Sequence, residues 1–196
     1  MAPVKTTTDK STEKRKAIMD ACLDLFCEKC YQDTSTASIS QKAGVATGTL
    51  FLYFENKEEL VNELYLQCKD ELASYLEEGV WEHTTFKAQL RHVWDRNLEW
   101  KQLNERKLQF MVQFSSSPTI TKLTKERAMS RHTVITEIVR KALDAGEVTA
   151  SSVELMAAMV SGYFHTAAMY LLGQPQSKHF KKWSDESFNF LWKGIN

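Results

Sequence analysis

Two groups of side chains in this 196-residue sequence have the types and spacing to do chemistry. The first is rich in hydroxyls: Thr34, Ser35, Thr36 and Ser38 within five residues, followed by Thr47 and Thr49. Such hydroxyls accept the free backbone N–H groups of a helix's first turn, and beside a nucleic acid they bond to phosphate oxygens. The second is a thiol pair, Cys27 and Cys30, in a C-x-x-C. With no second pair and no His at finger spacing it is a poor zinc set, and the strand–helix–strand setting of a thioredoxin-like site is missing. Together with Cys22 and Cys68 the pair reads as packing cysteines in a reducing compartment. A thiol-based redox sensor using Cys27 and Cys30 is the minor alternative, because a helix C-terminal end opposes thiolate formation. The five His are scattered, and the sequence holds no Gly-rich phosphate loop, no H-E-x-x-H and no nucleophile elbow. No enzyme, metal or cofactor is expected.

Lys+Arg and Asp+Glu both number 25. A net charge of zero gives no global sign of nucleic-acid affinity, so any DNA contact must be local. Lys5, Lys10, Lys14, Arg15 and Lys16 outnumber Asp9 and Glu13 in the first sixteen residues. The stretch looks disordered, and either a basic arm along a DNA groove or a solvated tail accounts for it. The opening MAPVKTTTDK lacks the apolar core of a signal peptide, so a cytoplasmic protein is expected.

These groups need elements to hold them. With 43% hydrophobic residues but only 7 Gly and 3 Pro, the chain has few places for the tight turns of a β fold, and an all-α chain is expected. Ile18, Cys22, Leu25 and Phe26 recur at helical offsets and place a first amphipathic helix at about 12–29. The hydroxyl run caps a short helix to Ala43, Gly44 supplies the positive φ that stops it, and a third helix runs from Thr47 to about Phe54. Ile39, Ala43, Val45 and Leu50 bury together, which leaves Thr47, Thr49, Phe51 and Leu52 to face outward. Asn56 and Glu59 form a capping box that opens a long helix to about Gly79, carrying Leu60, Leu64, Cys68 and Leu72 on one face. Further helices are expected near 86–103, 105–115, 120–145, 152–173 and 184–195. The most membrane-like stretch, Leu155 to Gly173, is interrupted by Ser161, His165 and Thr166, and reads as a buried helix.

The string TSTASISQKAGVATGTLFLYFENKEEL, from Thr34 to Leu60, resembles the DNA-binding head of the TetR family, and the preceding KAIMDACLDLF resembles its first helix. The resemblance covers about fifty contiguous residues; beyond them only helix count and layout agree. It implies an amino-terminal three-helix helix-turn-helix head with a basic arm (1–55), joined by a long helix to a larger helical ligand-binding and dimerisation body (56–196). It implies further that the helix from Thr47 enters the major groove of a near-palindromic operator, with Thr47, Thr49 and Leu52 near base edges and Phe51 on the same face. Thr36, Tyr53 and Lys57 would then hold phosphates, and Gly48 would let the helix start approach the backbone. Four positions depart from the family pattern. Cys30 stands where Gly is usual, so a positive φ there would be strained; Ala37 replaces a frequent arginine, Ala46 the usual serine cap and Phe51 a common tyrosine. Less polar readout and more apolar or shape readout follow.

By the same resemblance the helices near 152–173 and 184–195 pair with their copies in a homodimer, and small residues such as Ala158, Gly162 and Ala167 permit close approach. Trp94, Trp100, Phe110, Phe114, Met159 and Tyr163 lie on helices that surround the family's inducer cavity, with His165, His92 or Glu99 available as a polar contact. Core packing explains each of them singly; together they imply a small apolar or aromatic inducer that releases a repressor from its operator. A DNA-organising protein on the same fold, needing no ligand, is the other reading.

Overall fold

A computed structural model describes residues 7–130, 134–174 and 178–195. Its helices are α1 (Thr7–Glu28), α2 (Thr36–Ala43), α3 (Thr47–Leu50), α4 (Lys57–Glu77), α5 (Phe86–Leu103), α6 (Glu105–Ser115), α7 (Lys122–Ser130), α8 (Val134–Asp144), α9 (Val153–Leu172) and α10 (Phe180–Ile195). A 3₁₀ turn occupies Val80–Glu82, and no strand occurs among the described residues. The all-α expectation holds, and α5 and α6 fall where the sequence placed them.

Three elements differ from the sequence reading. Helix α1 starts at Thr7 and not near Thr12, so Lys10, Lys14, Arg15 and Lys16 are helical and do not belong to a loose arm; Lys5 lies outside the described residues. The regular part of α3 is one turn, ending at Leu50. Phe51 to Phe54 continue as turns held by Tyr53 N–H on Leu50 O at 3.0 Å and Phe54 N–H on Leu50 O at 3.1 Å. The span 120–145 contains two described helices, α7 and α8, with residues 131–133 outside the described set.

The chain packs as two compact units. Unit one comprises Met1–Lys69 and Asn104–Met129, thus α1 to α3, the first part of α4, α6 and nearly all of α7. Packing therefore groups α6 and α7, distant in sequence, with the helix-turn-helix segment. Ile18, Cys22, Phe26, Ile39, Leu50, Leu60, Phe110 and Phe114 are buried. The Phe26 ring lies 5.3 Å from Phe114, 5.8 Å from Tyr31 and 6.2 Å from Phe110. Around this aromatic centre, Arg106 pairs with Asp24, the Cys27 thiol donates to Arg106 O at 3.3 Å, and Gln109 Nε2 donates to Cys27 O at 3.3 Å. Buried Asn62 ties α4 to the segment before α7: its Nδ2 donates to Glu58 O at 2.7 Å and Thr119 O at 2.9 Å, while its Oδ1 accepts from Thr121 N–H at 3.0 Å.

Unit two comprises Asp70–Leu103 and Ser130–Asn196. Its core gathers Leu90, Val93, Trp94, Ile138, Val139, Val160, Phe164, Ala168 and Phe188 from α5, α8, α9 and α10. The Trp94 indole N–H finds Ser184 Oγ at 3.0 Å, the partner a buried indole requires. Arg91 closes the surface over this core with Asp185 at 2.6 Å and Asp95 at 2.8 Å.

Helix α9 is long and apolar enough to cross a membrane by length and composition, but the reading as a buried helix holds for one face only. Leu155, Met159 and Tyr170 are more than half exposed in the single chain, as is Phe190 on α10. Positions 155, 159, 162, 166 and 170 follow offsets of three and four, so they form one stripe along α9.

Candidate nucleic-acid interface

The local geometry of the Thr34–Phe54 segment follows from its caps. Ser35, with extended backbone, accepts Ser38 N–H at 3.0 Å on its Oγ while Ser35 N–H donates to Ser38 Oγ at 3.2 Å, a reciprocal box that opens α2. Gly44, at φ +69°, ends α2 with its N–H on Gln41 O. A side chain with a Cβ rarely adopts that φ, so the tight angle between α2 and α3 depends on glycine here. Ala46 caps α3 without a side-chain bond, as its methyl requires. Among the described residues no non-glycine has positive φ, so Cys30 carries none of the strain its place in the family pattern raised.

Burial sorts the two short helices into an inward and an outward face. Ile39 and Leu50 are fully buried. Thr47 and Gly48 are exposed, Thr36, Thr49 and Tyr53 half-buried, Phe51 48% exposed and Leu52 82% exposed. Two adjacent large apolar side chains left in water beside hydroxyls are an unusual surface, and the space around Gly48 is open on the side where a Cβ would stand. The outward face so formed can place methyl and methylene groups against thymine methyls and hydroxyls against phosphates.

Several polar residues in and just beyond the segment are engaged within the unit. Lys57, the first residue of α4, donates to Tyr31 O at 2.7 Å and Thr34 O at 2.9 Å, and its ammonium stands 3.9 Å from the Tyr31 ring centroid. All three of its N–H directions therefore have partners inside the head. Buried Thr34 donates to Cys30 O at 3.0 Å, so the corner between α1 and α2 is closed by one ammonium and one hydroxyl. Asn56 Oδ1 accepts Glu59 N–H at 2.8 Å, and Glu59 reaches back to Glu55 N–H rather than to Asn56. The Tyr53 hydroxyl meets Ser11 Oγ at 3.2 Å, a link to the start of α1 that no spacing in the sequence announces.

The residues expected around a ligand divide between the two units. Phe110 and Phe114 belong to the aromatic centre of unit one. Trp94 lies in the unit-two core, and Trp100 is buried in the same helix. Tyr163 donates to Ser187 O at 2.9 Å and its ring lies 6.2 Å from Phe190; Met159 is 65% exposed and His165 is exposed. His92 meets His83 at 3.1 Å and Glu78 O at 2.8 Å, and Glu99 pairs with Arg96 at 3.6 Å.

All four cysteines are free thiols. Burial pushes the Cys22 thiol well up from its ordinary range, with Cys68 beside it adding to the shift. Burial also pushes Cys27 up, against the opposing pull of Arg106. Neutral thiols at pH 7 are poor nucleophiles. Cys27 and Cys30 flank an open groove of about 660 Å³, lined also by Phe26, Gln109 and Gln113.

Comparison with known proteins agrees with this geometry. Residues 18–64 match the family described as bacterial regulatory proteins, tetR family. A TetR-family transcription regulator from Shewanella sp. PV-4 has a solved structure that superposes with a TM-score of 0.82 at 32% identity, covering 93% of this chain and 97% of that one. The fatty acid metabolism regulator protein of Bacillus subtilis is 34% identical over 80 residues, 41% of each chain. The aligned part of this chain thus spans well under half of that relative. FadR from Bacillus subtilis, solved in complex with stearoyl-CoA, shares the fold with a TM-score of 0.74 at 22% identity, covering 92% of this chain and 99% of that one.

Proposed function

Because the chain belongs to the TetR family of transcription regulators and is not an enzyme, we propose that it is a cytoplasmic repressor that binds a near-palindromic operator as a homodimer and is released by a ligand with a long apolar part. The observation that carries the DNA half is the outward face of α3. Thr47, Gly48, Phe51 and Leu52 face water together, with half-buried Thr36, Thr49 and Tyr53 at their margin, while Ile39 and Leu50 hold the short helices from within. Leu52 and the threonine methyls read bases largely through apolar contact, and Thr36 and Tyr53 reach phosphates. In functional terms residues 1–55 read DNA and 56–196 carry ligand binding and dimerisation.

The stripe of Leu155, Met159 and Tyr170 on α9, with Phe190 on α10, supports dimerisation, since so much contiguous apolar surface favours burial against a second copy. Met159→Glu would set a charged carboxylate into this apolar face on each copy, where burial against the partner is costly. Sedimentation at micromolar concentration is expected to show a monomer, and affinity for the palindromic site to fall about a hundredfold or more as the second half-site contact ceases to be intramolecular. A Met159→Glu protein that sediments as a dimer removes this face from the interface.

For the ligand, the stearoyl-CoA bound by the structural relative favours a long-chain acyl thioester over a small aromatic molecule. Such a ligand must bind the DNA-free arrangement more tightly than the DNA-bound one, because equal affinity shifts nothing. The test is to select duplexes retained by the protein from random DNA, then to titrate the complex with stearoyl-CoA. Release at micromolar ligand is expected. Retention of DNA across acyl-CoA chain lengths and aromatic acids alike would favour the ligand-independent DNA-organising reading.

A further inference from the structure

The reading surface is short of positive charge. Between Thr34 and Phe54 the only Lys or Arg is Lys42, and its ammonium is held by Glu28 at 3.0 Å and Asp24 at 3.5 Å. Lys57 is engaged by two carbonyls and an aromatic face. Yet affinity for duplex DNA comes mainly from neutralising phosphates and releasing their counterions. The cations must come from another element that reaches the same edge of the head.

Helix α1 is that element. Because it begins at Thr7, Lys10 and Lys14 stand on its first two turns. Ser11 lies between them, and its Oγ is 3.2 Å from the Tyr53 hydroxyl. Residues three and four apart share a helix face, so Lys14 adjoins both Ser11 and Lys10, and all three flank Tyr53. Both lysines are exposed, and neither has a carboxylate partner among the described residues. Arg15, one residue on, is turned away to Glu63 at 3.4 Å and to the Phe54 ring at 5.2 Å.

We propose that Lys10 and Lys14 form, with Tyr53, a helical phosphate-binding edge that grips the operator backbone next to the bases α3 reads. This rests on the reading of α3 as the DNA-facing element. A helix about 10–12 Å across does not enter a minor groove about 6 Å wide, so these residues meet the sugar-phosphate ridge and not a groove floor. Lysine suits that role: a point charge on a flexible stem takes any phosphate geometry and carries no base information. The edge supplies sequence-independent affinity and on-rate, and α3 supplies preference.

The test compares the full-length protein with its Lys10→Gln/Lys14→Gln variant by fluorescence anisotropy, on a selected operator and a scrambled duplex, across a salt series. Each lost phosphate contact makes the slope of log affinity against log salt shallower by about 0.9, so a change of about 1.8 per bound chain is expected, equal on both duplexes. Lys16→Gln, on the opposite side of α1, is expected to leave the slope alone, and circular dichroism to show full helicity in each variant. A wild-type slope in the double variant overturns the proposal. Leu52→Ala separates that failure from failure of the α3 reading. If it relaxes base preference about tenfold while the double variant keeps the wild-type slope, the edge alone is wrong; if the wild type retains no duplex at all, both readings fall.

Discussion

Replacing Lys57 by methionine is expected to destabilise the protein by about 2–3 kcal/mol and to weaken operator binding about tenfold, while the salt slope stays at the wild-type value. The stem of methionine is similar in bulk, so packing is retained and the loss is that of the ammonium. Two carbonyls, Tyr31 O and Thr34 O, lose a charged donor, and the Tyr31 ring loses its cation. These groups form the corner from which α2 leaves α1, so the orientation of α2 and α3 loosens and affinity drops for every sequence alike. A phosphate ligand behaves differently: its removal makes the slope about one unit shallower with little cost in thermal stability. Differential scanning calorimetry together with the salt series separates the two roles, and a shallower slope at an unchanged midpoint returns Lys57 to the DNA surface.

Phe114→Ala is expected to cost about 3–5 kcal/mol and to lower the thermal midpoint by about 10 °C, with operator binding lost over the same temperature range. The ring is 2% exposed and lies 4.7 Å from Phe110, 5.3 Å from Phe26 and 6.2 Å from Tyr31. Removing it opens a void beneath α1 in the unit that carries the reading helix. Were Phe114 instead part of a ligand wall, the alanine variant would keep its midpoint and change only the concentration of acyl-CoA needed for release. Thermal unfolding with and without stearoyl-CoA decides between them.

Phe114 also marks where the sequence stopped being legible. Strong local signals carried far: the hydroxyl run predicted the start of α2, Gly44 its stop, and Asn56 and Glu59 the opening of α4. Each is a backbone requirement met within a few residues. The aromatic residues of the body gave no such guidance, because periodicity says that a ring is buried and not which core it enters. Phe110 and Trp94 look alike along the chain, yet one joins Phe26 in unit one and the other Phe164 in unit two. The start of α1 was missed because Thr7–Lys16 has no apolar stripe; the turns that Ser11 and Arg15 anchor to Tyr53 and Glu63 depend on partners more than forty residues away. Lys57 was read from its place in the motif, and only the positions of two carbonyls reveal its internal role.

Asn62 bears on how such regulators can be recombined. Its side-chain amide is satisfied by one carbonyl of its own helix and by two backbone groups, Thr119 O and Thr121 N–H, nearly sixty residues downstream. A chimera that transplants residues 1–55 onto a foreign sensory body therefore carries the reading helix but not the scaffold it rests on, since Asn62, Phe110, Phe114 and the segment around Thr119 stay behind. A portable cassette for this reader is discontinuous, consisting of residues 1–69 together with 104–129. Specificity swaps that respect that seam keep a filled core and a satisfied amide, whereas swaps cut after the helix-turn-helix strip Tyr31 O and Thr34 O of the Lys57 ammonium and Phe26 of the Phe110 and Phe114 rings.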